Sequence, residues 1–187
     1  CEKEVAMVSN FDFLKKDFPV LSNFGKMAEK YCYSDSNSCL MKLGMIGETI
    51  VNLMFTYDRI AFPHDNTAVA RIDTLSREGL LTSDLVTILH GLRKVRNKAV
   101  HENYASIADD KIFLPMAHSL CEWFMQTYGD WNYSHRDFVM PEENTVSGTV
   151  DKEAEEKKES ELTKLAEQMA AAAPIIEPVS YTHLRAH

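Results

Sequence analysis

Arg96 and His101 stand in LRKVRNKAVHENY, the stretch from Leu92 to Tyr104, which gathers two arginines, two lysines and a histidine within an acidic chain. Arginine is always charged and offers a planar fork of donors that suits a phosphate. Histidine exchanges a proton near neutral pH. Asn97 can orient either one by hydrogen bonding. Together they suffice for RNA cleavage without a metal. The histidine takes the 2′-OH proton or protonates the leaving oxygen, and the arginine stabilises the charge on the phosphorane. The competing reading is a solvated helix end, where cations favour the dipole.

The element that must carry these residues is a helix starting at a Thr82/Ser83 cap, with Leu85, Ile88, Leu89, Leu92, Val95 and Ala99 on its apolar face. His90, Arg93, Asn97 and His101 then share a polar face, Lys94 and Lys98 lie on the far side, and Arg96 borders the apolar stripe. Arg93, Arg96 and His90 are the candidate nucleic-acid-binding residues. Arg96 and His101 are about 140° apart on a straight helix. Either the helix ends or bends near Val100, or a second copy of the chain supplies the complementary half.

The remaining elements read as helices. DFPVLSNFGKMAEKYCYSD places Phe18, Leu21, Phe24, Met27, Ala28 and Tyr31 on one stripe that starts beside Pro19. SDSNS is a turn in which Ser38 or Asn37 can cap a second helix, Cys39 to about Tyr57, apolar nearly all round and therefore central. Gly44 and Gly47 in that helix predict close backbone packing, since glycine costs about 1 kcal/mol in a helix interior. Glu48 is a lone acid there, with Asn52 one turn on; it can face an arginine across the bundle or form a buried structural ion pair. A third helix covers about Thr67 to Glu78 and stops at Gly79. A fifth covers about Ser106 to Tyr128, with Leu114, Ala117, Leu120, Cys121, Phe124 and Met125 inward and Pro115 set to kink it or shift its start. The expected fold is all-α, a bundle of four to five helices. His64 reads as a loop residue and His118 as a satisfied helix histidine. Trp123 and Trp131 read as core or domain-edge packing.

The chain has 187 residues and a net charge of −8. Residues 142–187 hold ten acids and five bases, and residues 1–141 eighteen acids and fifteen bases. A weakly acidic body argues against strong nonspecific duplex binding, which runs on phosphate neutralisation. It leaves room for a small basic site. Cys1, Cys32, Cys39 and Cys121 lack metal-ligand spacing and read as free thiols of a reducing compartment. No metal and no cofactor are expected. Leu40–Phe55, interrupted by Lys42 and Glu48, reads as too short to span a bilayer, and the chain reads as cytoplasmic. The expected domains are an unstructured or upstream-derived segment over 1–8, the helical domain over 9–141, a polar linker over 142–150, a charged helical connector over 151–173 and a disordered tail over 174–187. Val179–Leu184 in that tail resembles a translated sequencing adapter, and the chain is expected to be an open-ended fragment broken near Pro178.

Arg96-Asn97-Lys98-Ala99-Val100-His101 matches the R-x4-H signature of the HEPN superfamily of helical nucleases and nucleotide-binding domains. SNFDFL, AEKYCYSD, LMKLGMIGE, REGLL, LHGLRKVRNKAVHENY, AHSLCEWFMQTYGDW and FVMP, in this order from about Ser9 to Pro141, narrow it. They resemble the HEPN-like domain of unknown function at the N-terminus of many type I restriction enzyme R subunits. The resemblance implies Arg96 and His101 as catalytic residues in ribonuclease members, Asn97 as their polar neighbour, and Glu48 as a further candidate. It also implies two protomers facing each other across the Arg96/His101 face, an RNA or nucleotide ligand, and other restriction subunits as partners of a downstream part. Many members are noncatalytic. The functions implied are a regulatory or interaction module of a restriction complex, a metal-independent ribonuclease, or a sensor that uses the Arg96 face for binding alone.

Overall fold

In a computed structural model, residues 8–143 are described. They form a short 3-10 turn (Asp12–Leu14) and five helices: α1 (Pro19–Tyr31), α2 (Ser36–Tyr57), α3 (Ala68–Arg77), α4 (Ser83–Glu102) and α5 (Ile107–Phe124). A π-helical turn over Met125–Gly129 follows α5. There is no strand among the described residues. The all-helical reading therefore holds, and the linker, connector and tail expected after residue 143 lie outside the described residues, as do residues 1–7.

Helix α2 is the hub. Cys39, Leu40, Leu43, Ile46, Ile50, Met54 and Phe55 are buried along it, and α1, α4 and α5 pack around it. Its 22 residues correspond to about 33 Å, so α2 is long and apolar enough to cross a membrane. The sequence reading that this segment is too short is corrected: the helix begins earlier, at Ser36, and most of its apolar surface is spent on its neighbours. Its cap is also corrected. Asp35, rather than Ser38 or Asn37, is the N-cap, accepting from the Ser38 backbone N–H at 3.1 Å and the Ser38 hydroxyl at 2.8 Å. Asn37 is taken up elsewhere: its amide donates to the carbonyls of Ala99 at 2.8 Å and Tyr104 at 2.9 Å, pinning the end of α4.

The other helices start where their polar residues allow. Pro19 opens α1 at its first turn, where its missing N–H costs nothing. Thr67, Thr82 and Ser106 cap α3, α4 and α5 through their hydroxyls. Gly79, with φ +74°, turns the chain away after α3. Pro115 lies inside α5 and does not shift its start, which Ser106 sets nine residues earlier. Regular α5 stops at Phe124, short of the expected Tyr128, because the chain widens into the π-helical turn.

Over residues 130–143 the chain lacks regular structure yet is held to the bundle. Buried Glu122 accepts from the Tyr133 hydroxyl, the Arg136 backbone N–H and His135 Nδ1, at 2.9, 2.9 and 2.7 Å. Asn10 clasps Val139 through both its side-chain atoms, accepting from the backbone N–H and donating to the carbonyl. His118 is buried edge-on against Phe11 and Phe13. Trp123 is half-buried, as read, whereas Trp131 is 83% exposed and packs no core; it follows Asp130 in the loop, outside any helix.

Candidate functional site

Close packing of α2 on α4 sets the site. A Cβ on Gly44 would lie 2.2 Å from Cβ of Arg96, so the bare backbone of α2 makes room for the stem of Arg96. Held there, the guanidinium reaches along α2 to the next turn, where Nη1 lies 3.3 Å from Glu48 Oε2. Both side chains remain partly exposed, at 36% and 44%. Glu48 thus faces Arg96 across the bundle in a pair open to water.

A further turn along α2, Asn52 accepts from Arg71 Nη1 at 2.7 Å. Arg71 comes from α3. Its Nε donates to Asn66 at 2.8 Å, and its guanidinium lies 5.1 Å from the ring centre of Phe62. Arg93, one turn before Asn97 on α4, has a buried Nε with no hydrogen-bond partner. Glu48, Asn52, Arg71, Arg93, Arg96 and Asn97 line one groove of about 470 Å³, partly continuous with bulk water, between α2, α3 and α4. Its apolar wall comes from Val51, Ala68, Ile72 and Leu89. Three guanidinium groups from two helices line it against one carboxylate, an arrangement that can attract an anion.

The structure therefore gathers Glu48, Arg93, Arg96 and Asn97 and leaves His90 and His101 outside the groove lining. His90 is half-buried, with Nε2 3.8 Å from Asp73. His101 is exposed in the last turn of α4, beside exposed Val100. The helix carries both Arg96 and His101. It continues to Glu102, and Asn103 terminates it in the left-handed region at φ 49°, with its N–H on the carbonyl of Lys98. Arg96 and His101 therefore lie on one helix that ends just after His101. In one copy the arginines can hold an anion, and no histidine lines the groove to exchange its proton.

Arg71 was not legible as a site residue. Its place depends on how the loop between α2 and α3 rotates the third helix, and the only sequence signal is an arginine bordering the short apolar stripe of Ile72 and Leu75.

The buried thiols lie apart from the groove. Cys32, Cys39 and Cys121 are free and buried. Hydrogen bonding between Cys32 and Cys39 holds the first thiol below its ordinary pKa and pushes the second up, with burial adding to the rise. Among the described residues no group of three or more His, Cys, Asp or Glu is placed to hold a metal ion.

Over 138 residues the chain is 26% identical to the "Type I restriction enzyme EcoKI endonuclease subunit" of Escherichia coli (strain K12). That alignment covers 72% of this chain and 11% of the length of that protein. No solved structure matches significantly. A family profile described as "Domain of unknown function (DUF4145)" matches residues 26–165, from within α1 into the charged segment beyond the bundle. With three-quarters of its length matched, the chain belongs to that family of domains of unknown function.

Proposed function

We propose that this chain is a helical regulatory or interaction module at the N-terminus of a type I restriction endonuclease subunit, acting in bacterial defence against foreign DNA in the cytoplasm. The observation that carries this reading is the alignment to such a subunit across 72% of the chain. The bundle is of the HEPN type in this reading, on the strength of Arg96, Asn97 and His101 in the R-x4-H pattern. The module needs no cofactor and touches no membrane. It associates with itself through the Arg96/His101 face and with other restriction subunits through a downstream part that cleaves DNA and translocates with ATP. The experiment is deletion of residues 8–143 from the intact subunit. Restriction of unmodified DNA should change while ATP-driven translocation persists. Equal restriction with and without the module would overturn this reading.

A second reading, a metal-independent ribonuclease, is favoured by one observation: Arg96, Asn97 and His101 are all partly or fully exposed on an α4 that runs unbroken past them. A second copy then supplies the group that the helical offset withholds. Single-stranded RNA should be cleaved in EDTA to 2′,3′-cyclic phosphate ends. His101→Ala should lower the rate by about 10²–10⁴-fold. Arg96→Lys should also fail, because a point charge does not replace a planar fork. Equal residual cleavage by wild type and His101→Ala would mark the activity as contamination.

A further inference from the structure

Cys32 and Cys39 meet across the turn that joins α1 to α2. Cys32 is the C-cap of α1, and Cys39 lies in the first turn of α2. The backbone folds the two helix ends together: the Asp35 N–H donates to the Tyr31 carbonyl at 2.9 Å, and the Cys39 N–H to the Asp35 carbonyl at 3.0 Å. Both thiols are 0% exposed in one core, and they are hydrogen-bonded to each other. The turn above them is a surface element, with Ser34 exposed and Tyr33 and Asp35 half-buried. Such a turn opens locally at lower cost than the whole bundle, which lets a small oxidant reach the pair.

The same turn holds the end of α4 and the start of α5. Asn37 donates to the carbonyls of Ala99 and Tyr104, and Ser36 Oγ accepts from the Ser106 N–H at 2.8 Å. The stretch fixed by these three bonds contains His101. We propose that Cys32 and Cys39 form a reversible disulfide on exposure to hydrogen peroxide, and that its closure loosens the hold of Ser36 and Asn37 on the α4–α5 connection. Cys39 donates to the Cys32 sulfur and keeps that thiol below its ordinary pKa, so Cys32 is the thiolate that reacts. It attacks one peroxide oxygen, forming a sulfenic acid and expelling hydroxide, which takes up the proton Cys32 gave up. The Cys39 sulfur then displaces the hydroxyl from the sulfenic sulfur, and its own proton leaves with that hydroxyl as water. Both thiols are oxidised, and the peroxide is reduced to water. Bonded sulfurs stand about 2.05 Å apart, well inside hydrogen-bond distance. The first turn of α2 therefore shifts towards α1 and carries Ser36 and Asn37 with it. Disulfides of reducing compartments are typically transient and redox-sensing, as this one would be. The inference requires neither restriction nor RNA cleavage.

The test is to treat the 187-residue chain with hydrogen peroxide, block free thiols with iodoacetamide, and digest with trypsin without reductant. Cleavage after Lys30 and Lys42 releases one peptide that holds both cysteines. That peptide should escape alkylation and be lighter by its two thiol hydrogens, and dithiothreitol should restore alkylation. Hydrogen exchange over residues 99–110 should be faster in the oxidised chain by about two- to tenfold, the change expected from losing roughly one hydrogen bond. In Cys39→Ser, dimedone should trap the sulfenic acid on Cys32; if that variant fails to fold, the peptide map of the wild type still decides. Alkylation of both cysteines after peroxide, oxidation that dithiothreitol does not reverse, disulfides to Cys1 or Cys121 in place of this pair, or unchanged exchange over residues 99–110 once the disulfide has formed would each overturn the proposal.

Discussion

Gly44 lies directly beneath Arg96: a methyl group on the glycine would stand 2.2 Å from Cβ of the arginine and 2.5 Å from its Cδ. The clash involves an atom next to the α4 backbone, so a flexible side chain cannot swing clear of it. Gly44→Ala should therefore push the two helices apart and cost about 1–3 kcal/mol through overpacking, less the gain of about 1 kcal/mol from helix propensity. Gly47 provides the contrast. A Cβ there would meet Leu92 at 3.4 Å and Leu89 at 3.5 Å, ordinary contacts. Gly47→Ala should stabilise by up to about 1 kcal/mol. Urea unfolding of the two variants beside wild type checks the pair, and the idea fails if both shift the midpoint in the same direction by similar amounts.

Glu48→Gln separates two accounts of the Arg96 pair. With both partners more than a third exposed, the pair is worth about 0–1 kcal/mol, and the variant should unfold within that margin of wild type. A buried structural pair would instead lose about 3–5 kcal/mol on removal of one partner. The same urea measurement decides, and a loss in the larger range would mean that water does not reach the pair.

How much of this was legible in the sequence follows from which forces are local. Helix periodicity is local, so Leu89, Leu92, Val95 and Ala99 on α4 and Leu114, Ala117, Leu120, Cys121 and Phe124 on α5 are buried as their spacing predicts. Gly44 and Gly47 announced close packing because glycine is otherwise expensive in a helix. The cap of α2 was misplaced because Asn37, a good capping residue, is engaged by carbonyls 62 and 67 positions away. The groove was half legible. Arg93, Arg96 and Asn97 share one helix and could be seen, while the fixing of Arg71 by Asn52 spans two helices whose relative rotation no local pattern sets.

His118 should shape the acid limb of stability. Burial lowers its pKa, the charge of Glu122 and a hydrogen bond with the Asn10 backbone pull it back in part, and His135 adds to the lowering. The folded state thus prefers the neutral imidazole, and the unfolded chain takes up a proton first as pH falls below about 6.5. The stability held above that pH is lost as pH falls towards the folded value. His118→Asn should narrow the difference in urea midpoint between about pH 7.5 and pH 5, a window that brackets the unfolded value. An unchanged difference would remove His118 from the acid limb.

Asp110 should act with the opposite sign. It sits in the first turn of α5, 0% exposed, and neither carboxylate oxygen has a hydrogen-bond partner. Burial raises its pKa above the ordinary value; Ser36 and Cys39 lower it in part without reaching hydrogen-bond geometry, and the charges of Asp109 and Asp35 raise it further. The folded state therefore binds the proton more tightly than the unfolded chain does. Its contribution is fully present below about pH 3.9, the unfolded value, and is lost as pH rises through the raised one. Asp110→Asn cannot ionise and escapes that loss. The variant brings an amide that must find its own partners, so its absolute stability is a poor guide. The gap between variant and wild type is informative, because only ionisation makes it depend on pH. Urea midpoints measured from acid to neutral pH should show the variant gaining on wild type as pH rises. A gap constant across the range would mean that Asp110 stays in one protonation state throughout.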